Sequence, residues 1–119
     1  MISNAWANVA LNYVFREAEP SMWMALHFAD PTATGELSTE VFGGGYEREA
    51  VTFSPASGRM ISNSNTVVFE VPNVTITHIS VYTSHSTAGM IAYGALATPV
   101  TVTNSDQYIV GPGDFVVSV

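Results

Sequence analysis

The sequence has no cysteine and no lysine, and its only fixed cations are Arg16, Arg48 and Arg59. Without cysteine there is no disulfide and no thiolate metal site, and the redox compartment stays open. Nucleic-acid binding draws on clustered Lys and Arg that displace counterions from phosphates. Three scattered arginines against ten acids, a formal charge of −7, provide no such cluster. The same balance argues against an anionic membrane surface. No apolar run reaches the roughly 20 residues of a membrane span. Met1 to Phe15 lacks the basic segment of a secretory signal and is interrupted by Asn4, Asn8 and Asn12, so synthesis in the cytosol is expected.

Charge of either sign is scarce. Only 11% of residues are charged, whereas an ordinary globular domain carries about 25%. Apolar residues make up 47%, which excludes a disordered chain. With few charges to cover its outside, and no lysine to protect strand edges, the chain is expected to bury surface against copies of itself or a partner. Its length suits one domain, 1–119, with 1–19 as a helical N-terminal segment.

Ser3 to Ala18 reads as the one helix. Trp6, Val9, Ala10, Tyr13 and Val14 recur at helical spacing as an apolar stripe. Ser3 or Asn4 supplies an N-cap, Arg16 suits the last turn and Pro20 stops the helix. The stripe is expected to pack on the chain's own sheet, with docking onto a neighbouring subunit as the alternative. After Pro20 the period changes to two. Strands are expected at Met22–Phe28, Glu47–Phe53, Thr66–Val71, Ile76–Thr83, Met90–Leu96, Val100–Thr103, Tyr108–Val110 and Phe115–Val119, with Met60–Ser62 as a short extra one. Ser-Pro, Asn-rich and Gly-Pro-Gly segments punctuate them. The pattern predicts an all-β, two-sheet sandwich of Greek-key or jelly-roll type, with seven to eight strands and one N-terminal helix. Residues 31–45 form a long loop, and such loops tend to make contacts. The C-terminal strand is expected to sit inside a sheet.

Catalytic chemistry finds little to build on. His27 and Asp30 have an H-x-x-D spacing, but residues three apart on a strand face opposite sides, so Asp30 is read as a turn residue. His78 reads as a hydrogen-bonded core or interface residue and His85 as a solvated loop residue. Glu36, Glu40, Glu47 and Glu49 read as solvated or paired with arginine rather than as an acid–base couple. There is no Gly-x-Ser-x-Gly elbow and no calcium-loop pattern. The run Gly43–Gly45 lacks the following Lys-Ser/Thr and helix of a phosphate loop. No enzyme activity, cofactor or metal is expected. Among the aromatics Trp6, Tyr13, Trp23, Phe42, Tyr46, Tyr82, Tyr93 and Tyr108 are the interface candidates, since amphipathic rings tolerate a wet rim.

Two blocks in the first half carry a further signal: Ala25-Leu26-His27-Phe28-Ala29-Asp30-Pro31 with Gly35, and Gly43-Gly44-Gly45-Tyr46-Glu47-Arg48-Glu49-Ala50-Val51-Thr52-Phe53. With Thr77–Tyr82, Tyr93–Pro99 and Gly113–Val119 they span most of the chain. In these segments the chain resembles a family of small virion structural proteins of tailed bacteriophages, described as tail-fibre-like or capsid-decoration proteins. The resemblance implies a virion component made in the host cytoplasm and assembled as a homo-oligomer, a trimer by analogy. Its partners would be itself and the major capsid protein or tail proteins, with no nucleic acid and no membrane. Capsid decoration is the favoured role, because one compact domain has neither the coiled coil nor the repeats that give a fibre its length. High copy number would let weak contacts hold. A tail-fibre or tail-tip protein contacting the host is the alternative, and a carbohydrate-binding module the second. The docking surface is expected in the helix, at Trp6 and Tyr13, and in the 31–46 loop.

Overall fold

The computed structural model describes residues 2–18 and 21–119. Pro20, expected to stop the helix, lies outside them. Helix α1 covers Asn4–Asn12 and continues through a wider π turn over Tyr13–Glu17. Ser3 is the cap: its Oγ accepts from the Trp6 N–H.

The packing face of α1 is not the expected stripe. Ala7, Leu11 and Phe15 are buried, whereas Trp6, Val9, Tyr13 and Val14 are exposed. The physical reason is that no residue from Asn4 to Phe15 is charged, so both faces are apolar and periodicity does not choose between them. Two asparagines do choose. Asn8 Oδ1 accepts from the Arg59 N–H and Asn12 Oδ1 from the Ala56 N–H, both at 2.9 Å. These bonds turn Ala7 and Leu11 inward. Phe15 then meets Phe53 with ring centroids 4.8 Å apart.

Apart from a 3-10 turn at Leu37–Thr39, the rest is β and sandwich-like, with eight strands among the described residues. Strands β1 (Met22–His27), β2 (Glu49–Val51), β5 (Val74–Tyr82) and β6 (Met90–Val102) form an antiparallel sheet in the order β2-β1-β5-β6. Strands β3 (Met60–Ser62) and β8 (Val116–Ser118) form one ribbon, and β4 (Val67–Glu70) and β7 (Gln107–Val110) another. Met22, Met24 and Leu26 of β1 and Ile79 and Val81 of β5 join Ile61, Val67, Phe69, Val110 and Phe115 of the ribbon side in one core. Strand alternation puts His27, Ser80 and Tyr82 on the other face of the same sheet, and they too are buried.

Three strand expectations change. Glu47–Phe53 shortens to Glu49–Val51, and Arg48, on the face of Ala50 and Tyr82 opposite the core, is buried there by the 84–89 loop. Met90–Leu96 and Val100–Thr103 fuse into β6. A bulge at Leu96–Pro99 stands opposite Thr77 and accommodates the proline that appeared to separate them. The C-terminal strand is not interior to a sheet: β8 pairs β3 alone. Asn63 anchors it instead, its Oδ1 accepting from the Phe115 N–H at 2.9 Å while its Nδ2 donates to the Asn65 and Gly111 carbonyls.

Candidate functional site

The loop between β1 and β2 is fixed by one buried cation. Arg48 is 3% exposed. Its Nε and Nη2 donate to the two oxygens of Glu40 at 3.0 and 2.9 Å, a bidentate pair. Its Nη1 donates to the carbonyls of Ser84 and Thr87 at 2.8 and 2.7 Å. The guanidinium carbon lies 3.7 Å above the Tyr82 ring. Tyr46 completes the cluster: its hydroxyl donates to Glu40 at 2.8 Å, accepts from the Leu26 N–H at 3.0 Å, and its ring stacks on Phe69. Burial, then the Glu40 charge, push the Tyr46 phenol well above its ordinary range. The cluster thus ties the 28–48 loop to the 84–89 loop and holds Glu40 in structure.

The neighbouring histidines are also held. His27 is buried between the Thr39 and Ser80 hydroxyls, 2.9 Å from Nδ1 and 2.6 Å from Nε2. Desolvation lowers its pKa from 6.5 to about 4, so the ring is neutral. Asp30 does not meet it. Asp30 accepts from the Thr32 N–H, the turn role expected, and lies 4.0 Å from His78 instead. Thus Glu40 and Asp30 are held by arginine and turn contacts respectively. Among the described residues no three His, Asp or Glu side chains gather as a metal site.

Among the largely polar residues that the two loops present outward, a few aromatic rings stand out. Phe42 is 77% exposed and meets Phe28 edge-on, with centroids 6.4 Å apart and planes at 72°. Trp23 meets His85 edge-on at 4.6 Å, and His85 lies 3.8 Å from Glu47. Phe42, His85, Glu40, Glu47 and Arg48 line a shallow cleft of about 290 Å³. Both ring pairs are edge-on rather than coplanar. The second exposed surface is the helix, where Trp6 (69% exposed), Val9 and Tyr13 (60%) stand outward. Their spacing of three and four residues places them on one helical face, with small, uncharged Ala5, Ala10 and Asn12 flanking it.

Residues 1–118 match the family model described as Podophage GP4 fiber I protein gp80. The chain belongs to this family. Membership makes it a phage virion structural protein. Among curated proteins none matches the sequence.

Within this fibre family the interface candidates divide. Trp6, Tyr13 and Phe42 are well exposed; Trp23 and Tyr93 are partly so. Tyr82 is a correction: it is fully buried beneath Arg48 and offers no surface. Tyr46 is a second one, because its ring and hydroxyl are both engaged inside the chain. Tyr108 is half-buried against the core, and burial raises its pKa. Sequence reasoning left Glu40 as solvated or paired with arginine; the structure pairs it with Arg48 and buries the arginine, which the sequence did not indicate. It named Val9 in the apolar stripe but expected that stripe to pack on the chain's own sheet, whereas Val9 is exposed.

Proposed function

We propose that this chain is a structural segment of a phage tail fibre, acting by surface burial and not by catalysis, and associating with copies of itself and with neighbouring virion proteins. The observation that carries this reading is the exposed helical face. Trp6, Val9 and Tyr13 project from a helix whose other face is anchored to the chain's own core. An apolar row of this kind, with a tryptophan and a tyrosine, is characteristic of a protein contact. The family's description as a fibre protein favours the tail-fibre role over capsid decoration. The chain measures 46 Å along its longest axis, so a fibre's length comes from repetition or from other chains. Glu40 and Asp30 are engaged in structural contacts, which supports a non-enzymatic role.

The test is a particle assay. A phage whose own copy is replaced by the Trp6→Ser, Tyr13→Ser variant is purified, and the chain is quantified in separated heads and tails. The wild-type chain is expected in the tail fraction, and the variant at about a tenth of that level or less, for two lost aromatic anchors. The isolated variant should keep its unfolding midpoint, because both side chains are solvent-facing. Full incorporation of the variant would refute that face as the seat. Near-stoichiometric wild-type chain on heads would return the role to capsid decoration.

A further inference from the structure

The four-stranded sheet ends in two different edges. At β2 the edge is closed by a side chain: Asn65 Nδ2 donates to the Ala50 carbonyl at 3.1 Å and its Oδ1 accepts from the Thr52 N–H at 3.0 Å. At β6 nothing comparable exists. Among the described residues, β5 alone makes hydrogen bonds to Met90–Val102.

The register identifies which groups are left open. The Leu26 N–H donates to Tyr46 and its carbonyl accepts from Val41, so Leu26 faces away from β5. Antiparallel strands alternate, and Leu26 stands opposite Ile79. The backbone groups of Ile79 and Val81 therefore point to β6, where their partners are Gly94 and Ala92. By the same alternation the N–H and C=O of Tyr93 and Ala95 point outward, with no partner. Pro99 and the bulge around it blunt the edge further along, but Ala92–Ala95 is regular strand.

We propose that this open edge pairs antiparallel with β6 of a second copy, about a two-fold axis close to Gly94. Unpaired main-chain donors and acceptors in strand geometry call for another strand, not for a helix or a sugar. Laid antiparallel on its own copy, the edge is self-complementary: Tyr93 stands opposite Ala95 of the other copy, and each exchanges its N–H and C=O. The half-exposed Tyr93 ring then lies beside a small side chain on the same face. Charge permits the approach. Although the chain carries −7, no residue from Met90 to Val102 is acidic or basic. The result is one continuous sheet through two copies. This pairing rests on the self-association in the proposed function, and not on where in the particle the chain sits.

The full chain, purified, is followed by sedimentation velocity over a concentration series, with amide exchange read across 91–95. Dimers are expected, with protection at Tyr93 and Ala95 that grows with concentration. Ala95→Pro deletes an outward donor and leaves the β5 ladder intact, so the dissociation constant should rise about tenfold or more for the bonds lost on both sides of the axis. Should that variant fail to fold, Ala95→Lys keeps the N–H, places like charges across the axis, and is expected to weaken dimers similarly. A chain that stays monomeric to about 100 µM, an oligomer in which the two amides exchange freely, or an Ala95→Lys protein that dimerises normally would overturn the pairing. Monomers that still enter particles would sink the pairing alone, whereas dimers absent from particles would sink the fibre reading and leave the pairing standing.

Discussion

Replacing Arg48 by methionine should destabilise the fold more than any change at the surface. The guanidinium is 3% exposed and makes two bonds to Glu40 and two to loop carbonyls, and it covers the Tyr82 ring. Methionine keeps most of the volume and none of the donors. The Glu40 carboxylate, with its side chain only 16% exposed, is left with the Tyr46 hydroxyl alone. Breaking a buried ion pair on one side costs about 3–5 kcal/mol, most of it the penalty for the stranded charge. The double variant Arg48→Met, Glu40→Leu removes that charge and should recover about 1–2 kcal/mol of the loss. Urea unfolding of the three proteins at neutral pH measures both quantities. Amide exchange adds a spatial check: the 84–89 loop, which otherwise meets Arg48's segment through the exposed His85–Glu47 contact at 3.8 Å, should open first in the single variant. A single-variant loss below about 1 kcal/mol, or a double variant less stable than the single, would refute the reasoning that the pair is a desolvated clasp.

The remaining predictions concern pH and the C-terminus. His27 is neutral in the fold down to about pH 4, whereas its unfolded value is 6.5. Glu40 raises that value while Arg48 and His78 lower it, and desolvation outweighs them all. The unfolded chain therefore binds a proton that the folded one refuses, and stability falls as pH drops from 6.5 towards 4, by about 2 kcal/mol at pH 5. His27→Asn should flatten this part of the urea-midpoint profile; an equal acid loss in both proteins would show that His27 is not its source. Asn63→Ala strands the Asn65 and Gly111 carbonyls and the Phe115 N–H in a buried place, and should cost about 2–4 kcal/mol in thermal or urea unfolding. Limited proteolysis of that variant should cut first near β8; uniform cutting would argue against Asn63 as the anchor of the C-terminal strand.

The sequence by itself determined the strand-rich class, the N-terminal helix and most of the turn positions. Alternation, turn residues and composition are local properties, and a chain reads them out before it folds. The Leu26–Pro31 and Gly43–Phe53 blocks also carried the family, because they encode a strand end, a loop and a strand start close together in the chain. Tertiary structure alone decided three other matters. It chose the buried face of α1, since both faces are apolar and only Asn8 and Asn12 reaching Arg59 and Ala56 break the tie. It drew Arg48 inside, since its partners Ser84 and Thr87 lie far along the chain and no local pattern announces them. It left the β6 edge open beside a β2 edge closed by Asn65, since edge status depends on strand order in the sheet, a long-range quantity that periodicity does not contain.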